Sequence, residues 1–472
     1  MKKTKIVCSI GPASCNTETF KKMVEAGANV ARINFSHATI EERENVVKVV
    51  NEVRNLTKKS IGILYDTKGP EFRNGILKEG GINLVTGKTI KIVKENIVGD
   101  EERFSVNHPS AIDSLNIGNT ILLENGLMNI KVIDKDNESV TCEIINGGIL
   151  GDKKSLSVPG VRLDIPFISE IDYEDIVYAC KHEGNFLALS FVSTKDEVLE
   201  VRKILEENNR SDMKIISKIE SQTGMNNLED IAIVSDGIMV ARGDLGVEVP
   251  MEDLPICQKK IASVCRKYGK ICIVATEMLE SMKKNARPTR AEVTDIANAV
   301  YIGADAVMLS GETTTGMYPV EAVTHMANIC EHIEDNHDYY NIYAKEKAIN
   351  PTDAIAKSVS AMANDLKSKL IVIPTISGYS AKLVSNFEPS CPILALTTNE
   401  SIANGLTLNY GVFPKIVKKY ENTDEILFES KEEAKKFMEL DKNDIIIITG
   451  GFNNDKNNKE VVKTNLMKIE II

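Results

Sequence analysis

Short apolar runs alternate with amphipathic segments along the first two thirds of the chain. Segments 39–56, 194–209 and 255–269 carry apolar residues at helical spacing, which predicts helices between the runs. Continuously apolar strands that alternate with helices are typical of a parallel sheet covered on both faces. Because there are eight such runs, we predict that the sheet closes into an α/β fold of the (β/α)8 TIM-barrel type, rather than remaining a doubly wound open sheet. The runs are residues 5–10, 29–35, 62–67, 186–192, 214–219, 237–242, 272–277 and 305–310.

A segment with a different residue pattern interrupts this alternation between the third run and about residue 170. Residues 82–93, 119–133 and 138–148 are rich in β-forming residues and contain Asn-Gly and Gly-Gly turn signals. We therefore expect a small β-barrel domain, inserted in a loop of the TIM barrel, that acts as a lid over it.

A third region follows the barrel. Its apolar runs LIVIPT, PILALTT, DIIIITG and LMKIEII alternate with helical segments, which predicts a small open α/β domain. The expected domains are a catalytic barrel of residues 1–69 and 167–344, a lid of residues 70–166, and a C-terminal regulatory domain of residues 345–472.

The composition is that of a globular protein and disfavours several classes of partner. The 472 residues carry a formal net charge of −11, which argues against a general nucleic-acid or anionic-membrane surface. The nine cysteines contain no Cys-x-x-Cys pair, which argues against a disulfide framework or a zinc site. The basic N-terminus precedes too short an apolar run for a signal peptide, and no stretch of about 18 apolar residues predicts a transmembrane helix. We therefore expect a cytoplasmic protein.

Polar side chains cluster where the predicted strands end, which is where TIM barrels carry their chemistry. Arg32, Asn34 and Ser36 follow strand two at every second position and share one face of an extended segment. A cation beside two oxygen donors suits a phosphate next to a monovalent cation, although a solvated strand exit has the same pattern. Asp66 and Thr67 add oxygen ligands at the end of strand three, although an Asp-Thr pair before Gly-Pro also fits a simple turn.

A lysine and two carboxylates lie at the ends of strands five and six. Lys218 and Glu220 share one face of strand five, although a structural ion pair is the alternative. Asp244 follows Gly243 at the predicted start of a short helix, where it could bind a ligand or serve only as a cap. Because Glu220 and Asp244 come from neighbouring strands, together they suit Mg²⁺. Hydroxyl groups end strands seven and eight, on Thr276 and Ser310.

Seven motifs together resemble those of pyruvate kinases. They occur in that family's order and cover the barrel almost end to end. The predicted lid and C-terminal domain also lie where the family has its lid and regulatory domains. The chain is therefore identified as a member of this family from ARINFSHA, YDTKGPEFR, IISKIE, GIMVARGDLGVEVP, ATEMLESM, RPTRAEVTDIANAV and ADAVMLSGET.

The resemblance implies transfer of the phosphoryl group of phosphoenolpyruvate to ADP, giving pyruvate and ATP, with Mg²⁺ (or Mn²⁺) and K⁺ as cofactors. Arg32 and Lys218 would contact the phosphoryl group. Thr276 and the amides of Gly243 and Asp244 would receive the substrate carboxylate. A water network near Thr276 and Ser310 would protonate the enolate. The implied metal ligands are Glu220 and Asp244 for Mg²⁺ and Asn34, Ser36, Asp66 and Thr67 for K⁺, and the implied nucleotide-binding residues are Asn34, Phe35, Ser36, His37, Arg73 and Lys154.

Several positions bear on how closely the family pattern is kept. In the family, a glutamate directly after Lys-Gly-Pro accompanies dependence on K⁺, and Glu71 stands at that position here. Ala38 replaces a usual glycine, and Glu277 replaces a usual glutamine. In the lid motif, Ser155 and Ser157 replace a usual glycine and asparagine. The role implied for Lys154 therefore rests on an altered motif.

A candidate effector site lies in the C-terminal domain. Residues 374–384 predict a strand, a glycine turn and a helix, whose hydroxyls and amides suit a phosphate. The family's sugar-phosphate site resembles this segment, although an ordinary strand–helix turn fits it too. The second effector loop, usually rich in glycine, is here the Asn- and Lys-rich segment 452–465, so a sugar phosphate, AMP or no effector remains possible. The candidate effector residues are Thr375, Ser377, Gly378 and Ser380.

Two other functions stay open at this point. One is another Mg²⁺-dependent barrel enzyme of pyruvate or phosphoenolpyruvate, such as an aldolase, against which Arg73 and Lys154 of the nucleotide side argue. The other is a catalytically silent metabolite sensor, against which Lys218, Glu220 and Asp244 argue. The resemblance also implies a homotetramer.

Overall fold

The computed structural model describes residues 1–337, 350–451 and 464–472. Eight parallel strands close into one barrel, and each predicted apolar run supplies one of them, which confirms the predicted TIM barrel. The lid segment separates the third barrel strand from the fourth. The barrel strands, numbered along the whole chain, are β1 (Lys5–Ser9), β2 (Val30–Asn34), β3 (Gly62–Asp66), β12 (Phe186–Leu189), β13 (Lys214–Ile219), β14 (Gly237–Ala241), β15 (Ile271–Ala275) and β16 (Ala306–Leu309).

Amphipathic helices cover the outside of the barrel. The helix after β2 begins at Ile40 because Thr39 and Glu42 form a capping box, and its buried valines face the strands. In the described part of the chain, no helix is both long enough and apolar enough to cross a membrane. The barrel helices are α1 (Thr17–Ala26), α2 (Ile40–Thr57), α3 (Glu170–Lys181), α4 (Lys195–Glu207), α5 (Gln222–Asn226), α6 (Leu228–Val234), α7 (Arg242–Glu248), α8 (Leu254–Tyr268), α9 (Arg290–Tyr301), α10 (Gly311–Thr314) and α11 (Pro319–Asp335), with short 3-10 helices at Met251–Asp253 and Glu280–Lys283.

Side-chain alternation brings the polar strand ends together. Leu64 and Ile216 belong to the hydrophobic cluster that fills the barrel. Asp66 and Lys218 lie two residues further along the same strands and therefore point into the same barrel mouth. Asn34 at the end of β2 is paired in register with Asp66. The mouth is thus built from residues at matching depth.

The inserted segment is a β domain with one hydrophobic core, as predicted. It does not form one fully closed barrel, however, because its strands make a six-stranded sheet and a two-stranded sheet. Isolated bridges join Arg73 to Ser155, Asn74 to Val106 and Leu77 to Gly99. The lid elements are β4 (Gly81–Leu84), β5 (Thr89–Val93), β6 (Arg103–Ser105), β7 (Thr120–Leu123), β8 (Met128–Lys135), β9 (Ser139–Asn146), β10 (Gly148–Gly151) and β11 (Leu156–Ser157), with 3-10 helices at Lys78–Gly80 and Pro109–Ser114.

The C-terminal region forms an open five-stranded α/β sheet, whose last strand is antiparallel to its neighbour. The strand Val412–Ile416 was not predicted, because Pro414 and Lys415 interrupt its apolar run. The predicted domain boundary at 344–345 lies outside the described residues, and so do residues 452–463 of the Asn- and Lys-rich segment 452–465. The elements are α12 (Pro351–Asp365), β17 (Leu370–Pro374), α13 (Tyr379–Ser385), β18 (Ile393–Thr397), α14 (Glu400–Gly405), β19 (Val412–Ile416), α15 (Thr423–Phe437), β20 (Ile445–Gly450) and β21 (Leu466–Ile471). Across the sheet the strands follow the order β19-β18-β17-β20-β21.

This domain packs against the end of the barrel opposite the polar mouth. Leu408 joins the hydrophobic cluster inside the barrel. The buried Lys5 Nζ donates to Val412 O at 2.6 Å, and Lys214 Nζ donates to Gly405 O. Because Lys214 and Lys218 lie at opposite ends of β13, the length of the barrel separates the C-terminal domain from the mouth.

Candidate active site

Lys218 lies at the centre of a charged cluster in the barrel mouth. Its Nζ is 3.3 Å from Asp66 Oδ1 and 3.0 Å from Glu220 Oε1, and it donates to Ser190 Oγ at 2.7 Å. Burial by itself would lower the pKa of Lys218, but the carboxylates of Asp66 and Glu220 outweigh burial and raise it. The side chain is therefore held as a cation, ready to meet an anionic group.

Arg32 supplies a second cation on the other side of Asp66. Its Nε donates to Asp66 Oδ2 at 2.7 Å, and its Nη1 donates to Ser9 Oγ at 2.7 Å. Burial favours the neutral form of Asp66, but the charges of Lys218 and Arg32 prevail and lower its pKa. Asp66 thus stays ionised and orients two cations toward one cavity, which suits a phosphoryl group.

Glu220 is a candidate metal ligand because its buried carboxylate accepts few hydrogen bonds. It is 1% exposed, and its Oε2 accepts the Phe191 N–H at 2.6 Å. Its Oε1 lies near the Lys218 ammonium but receives no directed hydrogen bond from the described residues. Burial, with a further contribution from Asp244, raises the pKa of Glu220 to about 8. A buried carboxylate oxygen that shares a cavity with a second carboxylate fits Mg²⁺.

Thr276 adopts a left-handed backbone that its neighbours hold in place. Its φ is +65°, and the next residue, Glu277, has a φ of +54°. Such conformations cost about 1–3 kcal/mol each and persist only where surrounding contacts enforce them. The buried Arg242 donates to Thr276 O at 2.5 Å, while Thr276 Oγ1 accepts the Gly243 N–H at 3.0 Å. The structure therefore brings Thr276 and the start of α7 together, as expected.

The four expected K⁺ ligands come from adjacent strand ends. Asn34, Ser36 and Thr67 line one cavity of about 390 Å³ with Lys218. Asn34 Oδ1 accepts the Ser36 N–H at 3.1 Å, and Thr67 O accepts the Ser190 hydroxyl at 2.7 Å. Asp66, the fourth expected ligand, already forms ion pairs with Arg32 and Lys218.

Phe35 and His37, both expected to face the nucleotide, differ in their placement. The Phe35 ring is buried and stacked on Tyr65 with the centroids 5.1 Å apart. Its main-chain N–H donates to Asp66 O at 3.0 Å and its carbonyl accepts from Arg43 at 3.2 Å, so Phe35 is used inside the fold. His37 borders both the central cavity and an adjoining cavity of about 700 Å³ that is largely apolar. Ser310 lines that second cavity together with Arg32, whereas Lys218 lines the central cavity.

The expected phosphate-binding cations of the lid side are both paired with acids. Arg73 forms a two-pronged pair with Glu71, with Nε to Oε2 at 2.9 Å and Nη2 to Oε1 at 2.8 Å. Lys154 Nζ donates to Glu124 Oε1 at 2.6 Å. Both cations line a cleft of about 390 Å³ between the lid and the barrel, which Asp244 also borders. They are thus directed at the space that adjoins the central cavity.

Two of the altered residues of the family motifs, Ser155 and Ala38, have structural explanations. Ser155 Oγ donates to Asn125 Oδ1 at 3.0 Å and accepts the Asn125 N–H at 3.3 Å, which braces a turn of the lid. Ala38 does not have a positive φ, so a glycine is not required there. Ser157 pairs with Leu122 in the lid sheet, and Glu277 is exposed.

The candidate effector residues are only partly brought together. Thr375 Oγ1 accepts the Gly378 N–H at 3.0 Å. Ser377 Oγ accepts the Tyr379 N–H at 3.4 Å. Ser380 is buried, and its Oγ accepts a hydrogen bond from Thr464 Oγ1 at 2.8 Å. The first three residues therefore share one turn, whereas the Ser380 hydroxyl is already used inside the domain.

Three residues of the mouth were missed by sequence reasoning. Ser9 orients Arg32, Ser190 binds Lys218, and the Phe191 amide binds Glu220. All three lie at or just after the ends of strands β1 and β12, which carry no charged residue at that point. Strand-end position alone was the available signal, since a serine there is chemically unremarkable without its partners.

Two family models match the chain. One, described as "Pyruvate kinase, barrel domain", matches residues 1–323, and the other, "Pyruvate kinase, alpha/beta domain", matches residues 353–470. A pyruvate kinase of Sporosarcina psychrophila is 43% identical over 477 residues, which cover 100% of this chain and 81% of that protein. A pyruvate kinase of Clostridium perfringens is 39% identical over 478 residues, which cover 100% of both. The crystal structure of a pyruvate kinase from Cryptosporidium parvum is 37% identical, with a TM-score of 0.94, and the match covers 100% of this chain and 96% of that one.

Proposed function

Because the chain belongs to the pyruvate kinase family and is thus a phosphotransferase, we propose that the charged cluster in its barrel mouth transfers the phosphoryl group of phosphoenolpyruvate to ADP, giving pyruvate and ATP. The observation that carries this assignment is the Lys218 ammonium, held between Asp66 and Glu220 and next to Arg32. The test is pyruvate release from phosphoenolpyruvate and ADP with Mg²⁺ and K⁺. Release of pyruvate without ADP, or no release at all, would contradict it.

The phosphoryl group would lie between Arg32 and Lys218. Phosphoryl transfer asks a protein chiefly for positioning and for neutralisation of charge on the transferring group. Both cations are mostly buried and held by Asp66, so they need little rearrangement when the group moves from donor to acceptor. Lys218 and Arg32 are accordingly the residues we assign to stabilising the transferring group.

Glu220 and Asp244 would hold Mg²⁺ or Mn²⁺. When bound, the metal supplies positive charge that neutralises substrate oxygens. The Gly243 and Asp244 amides at the start of α7 would receive the substrate carboxylate, with Thr276 beside them. A water held near Thr276 and Ser310 would deliver the proton to the enolate carbon.

The nucleotide would enter from the lid side. Arg73 and Lys154 line the cleft between the lid and the barrel, and their carboxylate partners would give way to the nucleotide phosphates. Asn34 and His37 line both the central cavity and the larger apolar cavity, and Ser36 lines the central one. The size of the larger cavity suits a nucleoside. Closure of the lid would exclude water and limit hydrolysis.

We expect K⁺ to activate the enzyme through Asn34, Ser36, Asp66 and Thr67. Replacement of K⁺ by tetramethylammonium should lower turnover at least about tenfold, because part of the positive charge opposite the phosphoryl group is then missing. The family's correlation at the position of Glu71 supports this expectation. Initial rates at constant ionic strength measure the effect, and equal rates with both cations would contradict it.

The C-terminal turn would bind the phosphate of a sugar phosphate or of AMP. Ser377→Glu adds a negative charge to the turn that contains Thr375 and Gly378, and should abolish activation by such an effector. Ser358→Glu places the same charge on an exposed part of α12 and serves as the control. Rates with and without fructose 1,6-bisphosphate, a hexose monophosphate or AMP measure the effect. Activation that survives in Ser377→Glu would place the effector elsewhere.

The assembly and location follow family expectation. We propose a cytoplasmic homotetramer. Exposed apolar side chains on the outside of the barrel, such as Met251 and Ile256, are consistent with surfaces that subunit contacts would cover.

A further inference from the structure

Arg43, on the first turn of α2, holds the loop that follows β2 by its main chain. Its Nε donates to Ala38 O at 2.9 Å, and its Nη2 donates to Phe35 O at 3.2 Å. The guanidinium carbon also lies 4.3 Å from the centre of the Phe35 ring. The side chain is buried, so these contacts form out of bulk water, where hydrogen bonds are electrostatically stronger.

The remaining nitrogen of Arg43 reaches a different element. Its Nη1 lies 2.6 Å from Asp175 Oδ1 on α3, the helix that follows the lid in the chain. On the first turn of α3, Asp172 Oδ1 accepts the N–H of Gly69, where the chain leaves the barrel for the lid. The chain returns from the lid through Ser169, which caps the same helix. One helix is thus tied to both connections of the lid.

The loop held by Arg43 carries residues of the proposed site. Residues 35–38 continue directly from Asn34 and contain Ser36 and His37, which line the central cavity. Arg43 therefore joins the proposed cation and nucleotide residues on one side to the base of the lid on the other. Its own side chain does not line any of the three cavities described above.

We propose that Arg43 is a positioning residue, which fixes loop 35–38 against α3 so that the cation and nucleotide residues keep their alignment with the lid. This inference rests on the proposed function of that loop. Only the planar fork of a guanidinium reaches two carbonyls and a carboxylate while stacking on a ring, whereas a lysine ammonium is a single point charge on a flexible stem. Arg43→Lys keeps the charge and removes this geometry.

The same helix offers a matched control in Arg54. This residue is 8% exposed, as is Arg43. Its Nε donates to Ile61 O at 3.0 Å, its Nη2 donates to the same carbonyl at 2.5 Å, and its Nη1 lies 3.0 Å from Glu183 Oε2. It therefore also bonds a main-chain carbonyl and a carboxylate, but before the start of β3, at the end of the barrel away from the mouth.

The experiment compares Arg43→Lys with Arg54→Lys in thermal unfolding and in steady-state kinetics. Both variants should lose similar thermal stability. Only Arg43→Lys should raise the K⁺ and ADP concentrations for half-maximal rate, each by roughly tenfold, with a smaller change in kcat at saturation, because a loosened loop binds these ligands less well. Asp175→Asn, which breaks the same tie from the side of α3, should move both values in the same direction.

The inference would be overturned if the half-saturation values of Arg43→Lys were within twofold of those of Arg54→Lys, and Arg43 would then be a merely structural residue. The proposed function would still stand in that case if the wild type is active and responds to K⁺. If Arg43→Lys does not fold, Asp175→Asn decides the question by the same criterion. A wild type that does not turn over phosphoenolpyruvate and ADP would overturn both the proposed function and this inference.

Discussion

Replacement of Lys218 by Met should lower kcat for pyruvate formation by roughly 100- to 1,000-fold, the loss found when one preorganised donor to a developing charge is removed. The Lys218 ammonium is mostly buried and held by Asp66, Glu220 and Ser190, so solvent does not easily compensate for the loss of its positive charge. Met keeps much of the volume of the side chain and removes only the charged end. Initial rates at saturating phosphoenolpyruvate, ADP, Mg²⁺ and K⁺ measure the effect.

The control for this variant lies on the same strand. Lys214→Met removes an equally enclosed ammonium at the opposite end of β13, where Nζ donates to Gly405 O between the barrel and the C-terminal domain. It should cost stability but leave kcat within a few-fold of the wild-type value. A kcat of Lys218→Met within tenfold of the wild-type value would contradict the role assigned to Lys218.

Glu220→Gln should raise the Mg²⁺ concentration needed for half-maximal rate by at least about 100-fold, since the loss of a direct ligand should exceed the effect of changing an outer-shell partner. The amide keeps the size of the side chain and an oxygen for the Phe191 N–H, but it removes the negative charge that would bind the cation. High Mg²⁺ or Mn²⁺ should recover part of the activity. A titration of rate against each metal measures the shift.

Asp305→Asn is the matched control for the metal prediction. Asp305 is partly buried, accepts a main-chain hydrogen bond from Cys272 at 2.9 Å, and has a pKa raised by burial to about 7, but it lies at the far end of the barrel. Its substitution should leave the Mg²⁺ dependence unchanged. The same half-saturating Mg²⁺ in Glu220→Gln and wild type would exclude Glu220 as a ligand.

The candidate site was predictable where residue type and strand position act together. Lys218 and Glu220 share a face because side chains alternate along a strand, and parallel strands bring their carboxyl ends to one edge. Ser190 and Ser9 were not predictable in this way, because a serine gains its role only from the charged side chain that lies beside it. The family resemblance implied that Phe35 is a nucleotide residue, yet its ring is stacked on Tyr65.

The sequence by itself determined the barrel, the inserted β domain and the open C-terminal sheet, because each depends on local periodicity and on the order of apolar runs. It also determined which charges stand at the barrel mouth. Only the tertiary structure decided which of those charges meet. Asp66 joins Arg32 to Lys218, Glu124 binds Lys154, and Arg43 ties the loop after β2 to the helix at the base of the lid. These pairings depend on distances between residues far apart in the chain, which periodicity along one segment does not encode.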